Sequence, residues 1–298
     1  MHFSSVEEAK NYVVAVTNKA RTPEQINSAL AYYQDMIDSS QDTDSKKLWE
    51  YEHHTLKEWS NSTDFNMGNF PQGIDELVLE AIEWRSMVYA FQNIETKTNP
   101  FTESGFYAQW YLGAIYGIFT IVGKLLSKDK RDNSLRRLWT LTSPTMLLDG
   151  ACTEQEVEFL NATLNTSSGH FTNENSKTLL YRNKLIAHNE SMPIVKWDEV
   201  DEDLAILIRM WSLLIAWSSF GIFNPFRTDK QAFLGLESMY QADEIEALKE
   251  QRRIYISKVH AWSKAFAHTG LADSGRGAFS AMSVNFNIAK PHDLTPKD

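Results

Sequence analysis

Residues 104–123 form a run of twenty without a charged side chain, and this run limits the possible folds more than any other feature. A segment of that length either crosses a bilayer or is enclosed by other helices. Gly113 and Gly117 stand in small-xxx-small spacing, and Lys124 opens a basic stretch directly behind, as a cytoplasmic flank would. Against a membrane span, Gln109 and Thr120 are polar, and Tyr107, Trp110, Tyr111 and Tyr116 are spread through the run instead of marking its ends. A second uncharged run, 210–226, follows Arg209 directly, and the mean hydropathy is −0.38. The expectation is that 104–123 is the central buried helix of a soluble bundle.

The chain supplies the material for such a bundle. Of its 298 residues 43% are hydrophobic, enough for a sizeable core, while 13 Gly and 8 Pro favour helices over sheet turns. Ser5 and Glu8 have capping-box spacing, as do Thr153 and Glu156; Thr22-Pro23 places proline at a first helical position. Ile26, Leu30, Tyr33 and Ile37 recur at helical spacing, and so do Leu48, Tyr51, Leu56 and Trp59. Long helices are expected over 74–94 and 198–220, the latter with an acidic first turn that suits the positive helix end. Two shorter helices are expected between Pro225 and His268, then a loose tail. Polar stretches at 60–73 and 165–176 read as loops. No alternating strand pattern appears, so the fold class is all-α. The natural partition is an N-terminal extension (1–65), a core (71–225) and C-terminal helices with a tail (226–298), a division that also admits one continuous domain.

Charge narrows the function. A net charge of −10 argues against wrapping a long duplex and leaves room only for a local basic site. Lys124, Lys128, Lys130, Arg131, Arg136 and Arg137 crowd one stretch and offer such a site. The single cysteine, Cys152, excludes an internal disulfide and any cysteine-based zinc site. The first residues lack a basic stretch followed by an apolar run, so a cytoplasmic location is expected. Trp84, Trp110, Trp139, Trp197, Trp211 and Trp217 fall on helical stripes and read as core.

The densest chemistry lies in Tyr181-Arg182-Asn183-Lys184-Leu185-Ile186-Ala187-His188. On an unbroken α-helix Arg182 and His188 lie about 120° apart and about 9 Å along the axis, while Lys184 and His188 share a face. No second His or carboxylate stands at ligand spacing, so no metal site is expected. Two structural readings stay open: Arg182 pairing with an acidic residue, and His188 capping its own helix. A looser match, Arg253 to His260, has Ile254 after the arginine.

The phrase Arg182-Asn183, four residues, then His188, followed by a long apolar helix, resembles the signature of the HEPN superfamily. It looks most like the abortive-infection branch, and 134–138 (Ser-Leu-Arg-Arg-Leu) is similar to what that branch places upstream. The likeness spans roughly residues 74–224. It implies a helical homodimer in which Arg and His from two subunits face each other and cut RNA without a metal or cofactor, in phage defence or a toxin system. An antitoxin or nucleotidyltransferase partner is consistent with it.

The chemistry that such a site needs can be stated. RNA carries its own nucleophile, the 2′-hydroxyl, so an enzyme need only move protons and stabilise charge. His188 is then base or acid, Arg182 holds phosphate oxygens through its fork of donors, and Asn183 orients phosphate or imidazole. Lys184, Arg136, Arg137 and Lys130 are the expected substrate-binding cations. The alternative is a non-catalytic module of the same kind that binds a nucleotide or a protein partner.

Overall fold

A computed structural model describes residues 3–17, 23–67, 73–94, 105–188, 194–218 and 232–264. Within them the protein is all-helical: α1 (Val6–Thr17), α2 (Pro23–Ser39), α3 (Thr43–Ser60), α4 (Thr63–Asn66), α5 (Ile74–Asn93), α6 (Gly105–Leu125), α7 (Leu135–Leu148), α8 (Glu154–Thr163), α9 (Lys177–Tyr181), α10 (Trp197–Ser218) and α11 (Ala242–Lys264). One π-helical turn, Arg182–Ala187, continues α9. The expected tail and the second half of the 210–226 run lie outside the described residues.

The axis of the bundle is α10, not α6. From Val200 to Trp217 only Glu202 and Ile215 escape full burial, because α1, α7, α9 and α11 all pack on this helix. By contrast α6 buries Ala114, Ile118, Phe119, Ile121, Val122 and Leu125 along its second half. Its other face and its start leave Phe106 65% exposed, and Leu112 and Tyr116 exposed as well. The expectation of a central α6 therefore fails, and the reason is physical. A charge-free helix is not thereby a buried one, since aromatic edges and glycines tolerate water. Charges do not keep a helix out of the core when each finds a partner there. In α10 the carboxylate of Asp201 receives two hydrogen bonds from Arg85 of α5, both 2.8 Å, and one from Tyr255 of α11 at 2.8 Å. The acidic start of α10 thus does more than complement a helix dipole: Asp201 and Asp203 point inward and are buried. Among the described residues no helix is long and apolar enough to cross a membrane.

Of the caps expected from sequence, Thr153–Glu156 forms in both directions and Ser5–Glu8 in one, since the Glu8 carboxylate turns to the Ser4 amide at 2.7 Å; Thr22 lies outside the described residues. Ser5 Oγ accepts from the Glu8 amide at 3.0 Å, and Thr153 and Glu156 satisfy each other's backbone N–H groups at 3.2 and 2.9 Å. Ser134 caps α7 and Ser176 caps α9 in the same way. Beyond 225 the described residues hold a set of turns and one long helix, α11, instead of two short helices. A single buried cluster joins Val13, Trp49, Ile82, Val122, Trp139, Trp211 and Trp262, drawing side chains from all three expected segments. A smaller cluster, Phe91, Phe233, Tyr240 and Leu248, closes the far end of α5.

Candidate functional site

The segment expected to be a plain α-helix changes pitch where its chemistry begins. Ser176 caps α9 by accepting from the Leu179 amide at 3.2 Å, and six residues later Arg182–Ala187 widens into a π-helix ending at His188. Its backbone hydrogen bonds join residues five apart in place of four. Such turns are rare and occur frequently at functional sites.

The Arg182 guanidinium lies against α6. A Cβ on Gly123 would come within 2.9 Å of its Nε and 3.3 Å of its Cδ, so the bare glycine backbone is the seat of the side chain. Glycine in a helix interior costs about 0.5–1 kcal/mol relative to alanine, and here that cost corresponds to a close approach. Arg182 Nη1 donates to Asn183 Oδ1 at 2.8 Å, and Asn183 Nδ2 donates to Asn173 Oδ1 at 2.7 Å. Asn183 thus uses its oxygen and one N–H on protein groups, which makes it a holder of Arg182 more than an orienter of imidazole.

Arg182 and Asn183 open onto a cleft of about 550 Å³ that is also lined by Gly123, Ser127, Lys128, Arg136, Asn173 and Glu174. The rest of the wall comes from the first turn of α7 and from the loop at 164–176. Arg136 sits in that first turn, where the helix dipole disfavours a cation. It is tied down by donating to the Leu164 carbonyl at the end of α8, and burial lowers its pKa from the ordinary value. Three cations (Lys128, Arg136, Arg182) against one carboxylate (Glu174) make the cleft a positive spot on an acidic protein. Low-dielectric walls concentrate such a field.

The expected substrate-binding residues divide. Arg136 lines the cleft, and Lys128 from the same basic run joins it. Arg137 turns the other way, its guanidinium 5.7 Å from the Tyr51 ring, and does not line the cleft. Lys130 is exposed on the loop before α7, and Lys184 is partly buried; neither lines the cleft. The basic run is also partly neutralised, since Arg131 Nη2 lies 2.7 Å from the Asp129 carboxylate. His188 is exposed at the end of the π-turn and is absent from the cleft lining. Its backbone N–H closes onto the Leu185 carbonyl. The looser match dissolves on α11, where Arg253 is paired with Glu250. Among the described residues there is no group of three or more His, Cys, Asp or Glu able to hold a metal ion.

Sequence reasoning missed Gly123, Asn173 and the second loop wall. An isolated glycine at the end of an apolar helix is a weak signal of close packing. Nothing in the order of residues 165–176 says which asparagine faces the signature. No family model, no curated protein and no solved structure matches the chain.

Proposed function

We propose that the protein is a metal-independent endoribonuclease acting as a homodimer in phage defence or a toxin system. The observation that carries this reading is the Arg182–Asn183 pair, held on a π-turn and opening onto a cleft with two further cations. The resemblance of Arg182-Asn183…His188 to the HEPN signature supplies the rest. In this reading the cations grip the RNA backbone as point charges and Arg182 offers its fork to the scissile phosphate. The 2′-oxygen loses its proton to one His188 and bonds to phosphorus. The P–O5′ bond breaks, and the leaving oxygen takes a proton from water. The products are a 2′,3′-cyclic phosphate and a 5′-hydroxyl end. DNA lacks the nucleophile and stays intact.

His188 does not line the cleft of its own chain, and that fact favours a defined second reading. A cleft of about 550 Å³ falls within the range that holds small ligands. Without an imidazole it binds a nucleotide or a phosphorylated partner and cuts nothing. In the nuclease reading the imidazole comes from the second copy. The test is labelled RNA incubated with purified protein and EDTA. Shorter fragments ending in cyclic phosphate are expected, lost in His188→Ala and Arg182→Ala with the melting temperature nearly unchanged. Intact RNA together with saturable nucleotide binding selects the second reading.

A further inference from the structure

A guanidinium can only donate hydrogen bonds, and that one-way chemistry sets a direction along the side chains beside it. Asn183 must turn its oxygen to Arg182, because its NH2 there would set two donors against each other. The Asn183 NH2 then faces Asn173, which must answer with its own oxygen. The contacts at 2.8 and 2.7 Å have this sense. The row therefore ends ten residues upstream of Asn183, in a loop outside the signature.

A row of hydrogen bonds is only as firm as its last member, and the loop carrying Asn173 is unusually well held. Asn165 Oδ1 accepts from the Ser167 and Ser168 amides at 2.9 and 3.2 Å, and Asn175 Nδ2 donates to the Gly169 carbonyl at 2.8 Å. A Cβ on Gly169 would meet the carbonyl oxygens of Asn165, Thr163 and Ala162 at 2.5 to 2.7 Å, so the chain passes there with no room for a side chain. Ser176 Oγ donates to Asp203 Oδ2 at 2.6 Å, and His170 Nε2 lies 2.5 Å from Asp203 Oδ1. One carboxylate from the central helix, 1% exposed, thus grips the strip on both sides of Asn173.

We infer that loop 164–176 is a positioning element for the cleft, in which Asn173 locks the Asn183 amide and thereby aims Arg182. Arg182 keeps its other N–H groups for an anionic ligand. Asn173 touches no reacting atom in this scheme; it is a positioning residue acting through Asn183. The inference rests on reading the cleft as a phosphate site, while its geometry can be tested without any activity. Asn173 is exposed, and an exposed polar residue with no such duty is replaceable at little cost.

The experiment follows the Nη1–H signal of Arg182 in arginine-labelled protein at low temperature, assigned by its loss in Arg182→Lys. Asn173→Ala should release the Asn183 amide and with it the charge-assisted bond to Arg182, moving that signal toward those of exposed arginines and speeding its exchange with water about tenfold. Asn173→Asp keeps an acceptor oxygen and should restore the wild-type signal; Asn183→Ala should reproduce the defect. Asn173→Leu, which matches the shape without the acceptor, should behave as Asn173→Ala and guards against a folding artefact in either. An Arg182 signal unmoved by Asn173→Ala and Asn173→Leu, or one that Asn173→Asp fails to restore, overturns the inference. RNA cleavage by the same samples is scored separately: a wild type that cuts nothing removes the nuclease reading and leaves the positioning row standing.

Discussion

Arg85 and Arg182 belong to the same bundle, yet one is committed to the fold and the other is not. Arg85 is 2% exposed, grips both oxygens of Asp201 at 2.8 Å, and lies 4.6 Å from the Trp197 ring and 4.9 Å from that of Tyr255. Its charge is matched by a carboxylate and surrounded by rings. Arg182 is partly buried on a glycine seat and bonded to a neutral amide. The amide fixes its direction and leaves its charge unmatched. A cation held in place by a neutral group is poised for an anion from outside, and that difference separates a structural arginine from a binding one better than burial does.

The comparison breaks most readily at Asp201. Asp201→Ala leaves a buried guanidinium without its partner, and a loss of about 3–5 kcal/mol is expected in chemical unfolding. Arg182→Ala should cost no more than about 1 kcal/mol while abolishing RNA cleavage. Equal losses of stability in the two variants would erase the distinction. Next in size, Gly169→Ala forces a methyl against three carbonyl oxygens and should cost about 1–3 kcal/mol, with the Arg182 cleft disturbed as well.

Two smaller effects sharpen the picture through pH. Burial raises the Asp75 carboxyl to about 6, with the Trp211 N–H at 2.7 Å working in the opposite sense. A raised carboxyl favours the protonated native state, so its stability is full below the ordinary value near pH 4 and is lost as pH climbs through about 6. Asp75→Asn keeps an acceptor for Trp211 and should be more stable than wild type at pH 7.5, by about 1–2 kcal/mol. It should also flatten the stability profile between pH 4 and 6. At His170 burial works against the charged ring, but the hydrogen bond and charge of Asp203, with Glu202, leave its pKa raised. Its contribution is therefore present below the ordinary imidazole range and fades as pH rises through the shifted value. His170→Gln should remove that slope from a stability profile taken over pH 5–8, and the effect should be smaller than that of Asp75→Asn.

Much of the bundle could be read from residue order because caps and apolar stripes are local. Ser5, Ser134, Thr153 and Ser176 act on amides three residues away, a distance the sequence displays directly. The centre of the bundle could not be read that way. Burial of α10 depends on Arg85 and Tyr255 reaching Asp201 across 116 and 54 residues, and no local pattern encodes such meetings. The candidate site divides along the same line. Arg182 and Asn183 stand out as neighbours in sequence, and Arg136 falls on the same cleft. The π-turn leaves no mark in composition, and Asn173 and Gly123 matter only through a partner that the fold brings to them.

The most direct measurement is a mixing experiment in EDTA with labelled RNA. Arg182→Ala and His188→Ala proteins, each inactive alone, are unfolded together, refolded as a mixture and assayed. If one copy's arginine works with the other copy's imidazole, mixed dimers carry one intact pair, and cleavage with a cyclic-phosphate end returns to a fraction of wild-type activity. A mixture as dead as its components, beside an active wild type, contradicts the shared site; a wild type that leaves RNA whole contradicts the nuclease itself.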